Sequence, residues 1–206
     1  MIFFTSDQHF GHARMVKNRK LFINMEEMDS FMIKRWNTAV SPADTVYILG
    51  DFSFLSSAPP SVYASALNGR KILIKGNHDP SWLSISSLEY WRMFFDGIYD
   101  SGLLYAGSRS IFLTHIPKYD IEQNISVCGH IHDDGGVFYD TFAPAKRLFN
   151  AGVDINNFSP VSFSELLHNN ILFYKREYTK YEFQIFKEIN DCLEADLAHF
   201  YPLGGK

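Results

Sequence analysis

Seven side chains have the types and the setting to hold metal ions: Asp7, His9, Asp51, Asn77, His115, His130 and His132. They offer two carboxylates, four imidazoles and one amide oxygen, and no sulfur. Oxygen and imidazole donors of this kind suit manganese, iron, zinc, cobalt or nickel. They are too many for one tetrahedral zinc with an open position. They suit two ions that share a carboxylate. Two ions about 3.5–4 Å apart can clamp both the attacking and the departing oxygen of an in-line phosphoryl displacement. They also acidify bound water, so that hydroxide is available near neutral pH without a dedicated protein base.

Each of these residues follows a short apolar run, and the elements that must position them can be read from that pattern. A buried strand over 2–6 precedes Asp7-Gln8-His9, and a second over 45–49 ends in Gly50-Asp51. A third over 71–74 leads into Gly76-Asn77-His78-Asp79. The segments 98–105 and 110–114 read as a hairpin turning at 106–109, with His115 at its end. A strand over 125–128 runs into Gly129-His130-Ile131-His132. In α/β proteins the C-terminal ends of buried strands open into the crevice where ligands bind, so five such runs would gather the seven residues in one place.

Between the strands, Asn24 stands three residues before Glu27, an N-cap signature. Met28, Phe31, Met32 and Trp36 then recur at helical spacing, which predicts an amphipathic helix to about Val40. Pro59-Pro60 opens a short helix that Asn68-Gly69 closes, and 82–95 reads as helical. The stretch 147–154 is a last strand pair or extended segment, and Ser162 with Glu165 caps a short helix to about His168. Residues 174–200 carry aromatic and charged residues with loose helical periodicity.

The chain has 206 residues, 46% hydrophobic and 20% charged, enough for one ordinary domain with a real core. A net charge of −4 argues mildly against a grip on long nucleic acid, which favours a basic excess. Cys128 and Cys192 are far apart with no Cys-x-x-Cys spacing, which fits a reducing cytoplasm. Cys128, on a strand, reads as a small core residue. No apolar stretch reaches the length of a membrane span, and the first residues do not read as a signal peptide.

The five blocks taken in order, Asp7-Gln8-His9, Gly50-Asp51, Gly76-Asn77-His78-Asp79, His115 and Gly129-His130-Ile131-His132, resemble those of the calcineurin-like metallophosphoesterase superfamily. The surrounding text at 4–12, 45–52 and 150–154 is similar to a small bacterial or phage branch of it. The resemblance implies an α/β fold, a two-layer β-sandwich flanked by helices. It implies a catalytic domain over 1–170, with 171–206 as a C-terminal helical appendage packed on the same domain or on a partner subunit. By the same resemblance one ion takes Asp7, His9, Asp51 and His132, and the other takes Asp51, Asn77, His115 and His130, so that Asp51 bridges. Manganese is the foremost candidate, with iron, zinc, nickel or cobalt as alternatives.

His78 is then the catalytic residue beside the substrate, stabilising phosphoryl oxygens or protonating the leaving group. Asp79 is expected to hold its other ring nitrogen and fix the tautomer. His12 and Arg14 are candidate substrate contacts. Lys17, Arg19 and Lys20 read as a solvated loop, and His168 and His199 as ordinary helix residues. The expected activity is hydrolysis of a small phosphodiester or phosphomonoester. A nuclease using the same site, or a non-catalytic scaffold on the same fold, are the alternatives. The substrate is set by the loops at 10–20, 53–59, 117–124 and 133–145. The tail helix fits a dimer contact or a clamp over the catalytic domain.

Overall fold

The computed structural model describes residues 1–118, 125–133, 140 and 144–204. Parts of the expected substrate loops at 117–124 and 133–145 lie outside the described residues.

Four strands, β1 (Ile2–Thr5), β2 (Thr45–Ile48), β3 (Arg70–Ile74) and β4 (Gly97–Tyr99), form a parallel sheet in the order β1-β2-β3-β4. Their side chains alternate as strand geometry requires. Phe3, Val46, Ile48 and Leu73 face one layer, where α2 (Met25–Ala39), which follows the short α1 (Met15–Asn18), buries Met28, Met32 and Trp36, and α3 (Pro60–Ala66) packs Tyr63 and Ala64. Ile2, Phe4, Tyr47, Leu49, Ile72 and Ile74 face the other. Asn24 caps α2 by accepting from the Glu27 amide at 2.8 Å, while the Glu27 carboxylate takes the Ile23 amide. A cap of this kind is worth about 1 kcal/mol. The helix ends at Val40, where extended backbone leads towards β2.

The second sheet has the order β8-β7-β6-β5-β9. It comprises β5 (Ser101–Ala106), β6 (Arg109–Leu113), β7 (Ile125–Cys128), β8 (Leu148–Asn150) and β9 (His199–Leu203). Strands β6, β7 and β8 are parallel, and β5 is antiparallel to both β6 and β9. Leu104, Ile111, Leu113, Ile125 and Val127 share one buried cluster with the inner face of the first sheet. The protein is thus an α/β structure in which two sheets close over a common core and helices cover the outside.

Three sequence expectations change. The hairpin arm expected over 98–105 is two strands. Gly97–Tyr99 ends the first sheet, and the chain breaks at Asp100 before Ser101–Ala106 starts the second. Asp100-Ser101-Gly102 interrupts the apolar run at the crossing, and Ile98 packs in the outer layer while Leu104 and Ala106 pack between the sheets. The helix expected over 82–95 is two short turns, α4 (Pro80–Leu83) and α5 (Leu88–Trp91), separated where Ser87 recaps the chain.

The third change concerns the tail, which is not purely helical. The helix α6 (Phe163–Tyr174) crosses the expected boundary at 170, and α7 (Lys180–Glu194) buries Phe186, Ile189 and Leu193 in the same cluster as both sheets. Strand β9 then places Phe200 against Tyr47 and Tyr99, with ring centroids 5.3 Å apart in each case. Residues 171–204 thus pack on the same domain, one of the two placements expected, and α7 lends three side chains to its core. His199 is accordingly a strand residue, and His168 lies on α6.

Candidate metal centre

The parallel strands of both sheets end at the same edge of the molecule, and the chemistry-bearing residues follow there. Asp7 and His9 come after β1, Asp51 after β2, and Asn77 and His78 after β3. His115 comes after β6, and His130 and His132 after β7. A bridge between Ser6 and Gly152 stitches the two sheets at this end. Asp7, His9, Asp51, His130 and His132 all have positive φ, between 48° and 76°. A non-glycine residue rarely adopts that conformation without compensation, and such strain gathers at functional sites. Gly50 (φ 88°) is needed for the same turn, since a Cβ there would collide with the His115 ring and the Gly76 backbone.

Asp51 is 2% exposed and organises the centre. Its Oδ1 accepts the His78 amide at 2.9 Å. Its Oδ2 faces three imidazole Nε2 atoms, those of His115 at 3.5 Å, His9 at 3.7 Å and His78 at 3.8 Å. Asp7 is fully buried and accepts from Ser6 Oγ at 2.6 Å and from the His130 amide at 3.0 Å, which fastens the loop after β7 to the end of β1. Ligand atoms of Asp7, His9 and His132 lie within 4.8 Å of one another, and so do those of Asp7, Asp51 and His115. Asp7 therefore belongs to both groups, in addition to the sharing expected of Asp51.

The tautomers can be read from the outer partners. His115 Nδ1 lies 2.7 Å from the Leu49 carbonyl and must donate to it, which leaves Nε2 to face Asp51 and the Asn77 amide oxygen, 2.9 Å away. His130 Nδ1 is also 2.9 Å from that oxygen. His132 Nδ1 lies 2.8 Å from Asp154 Oδ2, so its Nε2 faces Asp7 at 3.8 Å. His9 Nδ1 is buried with no hydrogen-bond partner among the described residues.

Charge in the protein alone follows this layout. Burial pulls His115 down, but its hydrogen bond to Asp51 and the charges of Asp7 and Asp51 win and lift it to about 9. Burial opposes the ionised form of Asp51 too, yet the same contact holds it down to about 2. Burial, followed by the charge of His132, pushes His9 to about 3. His130 is lowered by burial and then by His115. His132 is raised, its burial outweighed by the hydrogen bond to Asp154. A proton on His115 balances carboxylates that a divalent cation could balance better.

All seven expected ligands and His78 meet here. The role expected of Asp79 is overturned. Its carboxylate is wholly buried and accepts from the amides of Gly76 (2.7 Å), Asp51 (2.9 Å) and Phe52 (3.0 Å) and from the Trp82 indole (3.1 Å). It ties the loops after β2 and β3 together and has no oxygen left for the His78 ring. Burial pushes it up to about 6 against those donors. What does touch the His78 ring is Phe54, with centroids 3.9 Å apart.

His12 sits beside this group, its ring 5.7 Å from His9 and 5.1 Å from Phe54, with both ring nitrogens shielded and without a hydrogen-bond partner among the described residues. Burial, and then His78, lowers its pKa. Arg14 is exposed on the outer side of the same loop.

Arg19, read as part of a solvated loop, is instead 5% exposed. It grips Asp154 through Nε at 2.6 Å and Nη2 at 3.1 Å, and donates to the carbonyls of Asp7 and Gln8. Asp154, missed among the candidate residues, is held well below the carboxylate range: its burial is outweighed by Arg19 and His132. The signal for it was a lone aspartate after an apolar strand, the pattern that marked Asp7 and Asp51.

No family model matches the chain. It is 31% identical over 165 residues to the uncharacterized protein MJ1445 of Methanocaldococcus jannaschii, covering 78% of this chain and 86% of that protein. It is 45% identical over 80 residues to the gene 66 protein of Mycobacterium phage L5, a match that covers 37% of this chain and 38% of the phage protein. The crystal structure of AQ665, a protein of unknown function from Aquifex aeolicus, superposes with a TM-score of 0.61 at 26% identity, over 81% of this chain and 97% of that one.

Proposed function

This chain belongs to the same family as the uncharacterized protein MJ1445, and from that premise we propose that it is a metal-dependent phosphoester hydrolase of the calcineurin-like metallophosphoesterase type. The observation that carries the reading is the single Asp51 oxygen facing three imidazoles, with Asp7 and Asn77 completing two adjoining donor sets. The donors fit divalent cations. They are all oxygen or imidazole, their outer partners leave ring nitrogens facing inward, and the buried carboxylates lack a permanent cation of their own between them. Asp7, His9, Asp51 and His132 would hold one ion, and Asp51, Asn77, His115 and His130 the other.

Two cations held there would supply Lewis-acid polarisation of the phosphoryl oxygens and a water acidified enough to react near neutral pH. The protein does the rest. Asp154 and the Leu49 carbonyl fix the rings of His132 and His115. His78 has its amide on Asp51 and its carbonyl on the Ser81 hydroxyl at 2.6 Å, and its side chain is 34% exposed at the rim. From there its Nε2 can donate to a phosphoryl oxygen. As the water oxygen bonds to phosphorus and the ester P–O bond breaks, it can give its proton to the leaving oxygen. General acid help of this kind is worth ~10²–10⁴ in rate.

The test is to strip the protein, reload it with manganese, and assay p-nitrophenyl phosphate and bis(p-nitrophenyl) phosphate. Turnover should vanish with chelator and fall ~100-fold or more in His78→Ala. Manganese-loaded protein inactive on both esters overturns the reading.

A further inference from the structure

A second feature adjoins His78. Phe54, whose ring lies on the His78 imidazole, also lines a cleft of about 550 Å³ between the segment after β2 and the turns of α4 and α5. Its walls include Phe54, Pro59, Trp82, Ile85, Tyr90 and Trp91. The other lining residues are serines, an alanine, a leucine and a proline, so among the described residues no charged side chain faces the cleft. The volume falls in the range of small-ligand sites, which are mostly apolar with a few polar groups.

The walls are rigid. Trp82 and Trp91 are 4% and 3% exposed, pack edge to face at 4.8 Å, and are pinned through their indole N–H groups to Asp79 and to the Leu83 carbonyl. Asp79 is also the residue that ties this wall to the loop carrying Asp51. The cleft and the candidate metal centre therefore share one scaffold and one boundary, the Phe54–His78 pair.

We propose that this cleft receives the organic group of the substrate, and that this group is an uncharged planar ring, aryl or nucleobase, joined to the phosphate through its ester oxygen. The inference rests on the phosphoesterase reading for the phosphate end. The lining decides the rest. Aromatic and proline surfaces favour stacking of a flat ring. Serine hydroxyls at the rim can bond ring heteroatoms, and with no lysine or arginine present a second phosphate would enter without a counter-charge. A polyphosphate or a long nucleic-acid strand fits poorly. A small ester of an aromatic alcohol or a nucleoside fits well. Phe54 acts here as a positioning residue: it contacts His78 on one side and the ring of the substrate on the other.

The test compares manganese-loaded protein with its Ile85→Asp variant. Ile85 is 76% exposed at the rim, so the change puts a charge in the cleft without disturbing the core. Methyl phosphate, phenyl phosphate and thymidine monophosphate, followed by release of inorganic phosphate, report selectivity. The phenyl and thymidine esters should have KM ~10-fold or more below the methyl ester, and in Ile85→Asp that ratio should fall towards one. Preference for phenyl alone, or for thymidine as well, tells aryl from nucleobase.

Binding without turnover is read separately, from the fluorescence of Trp82 and Trp91 on adding phenylphosphonate or methylphosphonate. The aromatic probe should saturate at ~10-fold lower concentration, and Ile85→Asp should abolish the difference. Ester turnover with no aromatic preference sinks the cleft assignment and leaves the phosphoesterase reading standing. Discrimination between the phosphonates with no turnover of any ester does the reverse. Faster cleavage of single-stranded DNA than of every small ester overturns the substrate class.

Discussion

The two halves of the centre hold their histidines in different ways. On one side, His132 is fixed by a carboxylate, Asp154, that is itself gripped by a buried arginine reaching back to the Asp7 and Gln8 carbonyls. On the other, His115 is fixed by a neutral group, the Leu49 carbonyl. A carboxylate partner makes an imidazole a stronger donor than a carbonyl does. On the two-cation reading, the His9–His132 side should therefore bind its ion more tightly, and the His115–His130 side should be the one that empties first. The difference also locates cost. The charged side needs a complete buried ion pair to be tolerable, while the neutral side can lose a partner more cheaply.

The largest effect should come from erasing the distinction altogether. Asp51 faces both halves, so Asp51→Asn should lower metal content on both sides together. Activity should drop well beyond the ~10–100-fold that loss of an outer partner costs. Metal analysis after gel filtration checks this. If one full equivalent of metal remains bound at wild-type affinity, the carboxylate is not shared.

Breaking only the charged side comes next. Asp154→Asn should weaken one of two manganese affinities by ~10–100-fold and leave the other near wild type. It also strands Arg19 in the interior, which should lower stability by about 3–5 kcal/mol. Arg19→Lys separates the two effects. A lysine keeps the charge but cannot make the two-point grip, so stability should fall less than in Asp154→Asn while His132 is still loosened. Chelator competition together with thermal melts distinguishes these outcomes. Equal weakening of both affinities would remove the asymmetry.

The same contrast explains what could be read in advance. The seven donors were legible because each sits directly after an apolar run, and a strand end is a local feature. The α/β class was legible for the same reason. Asp154 carried a strand-end signal of its own, but its pairing with Arg19 lies in a contact across 135 residues that no spacing records. The role that the resemblance implied for Asp79 fails on geometry. In the turn that opens α4, its carboxylate folds back onto backbone amides instead. The tail is helical over α7, as its periodicity implies, and differs only at its end, where pairing with β5 selects an edge strand.

Acidity should separate the halves in the metal-free protein. The folded pKa of His115, about 9, lies above its ordinary 6.5. The stability it contributes is therefore fully present below about 6.5 and is lost as pH rises through 9. His9 is depressed to about 3, so it stays neutral in the native state while the unfolded chain takes up a proton below 6.5. Its effect is that stability falls as pH drops from 6.5 towards 3. Melting temperature should peak between the two windows. Metal loading on the His115 side must expel its proton, so affinity there should rise by about tenfold per pH unit up to 9. On the other side His9 has no proton to expel over that range, but His132, also raised, does, so affinity there should rise with pH as well. Calorimetry at several pH values, with proton release counted in buffers of different ionisation enthalpy, reads both.

The smallest effect is expected outside both halves. Arg14 is exposed and follows His12, whose shielded ring lies against His9 and Phe54. A surface cation at the mouth attracts an anionic ester at long range but is screened by salt. Arg14→Ala should thus change kcat/KM by about twofold at low ionic strength and less at physiological salt, with kcat unmoved. His12→Ala should instead act at any salt concentration, because its effect comes through packing against His9 and Phe54 rather than through a screened charge. If the two variants show the same salt dependence, His12 is part of the outer field and does not reach the substrate. If Arg14→Ala lowers kcat as well, the arginine reaches the phosphate in the bound state, and the boundary between centre and surface lies further out than the free protein places it.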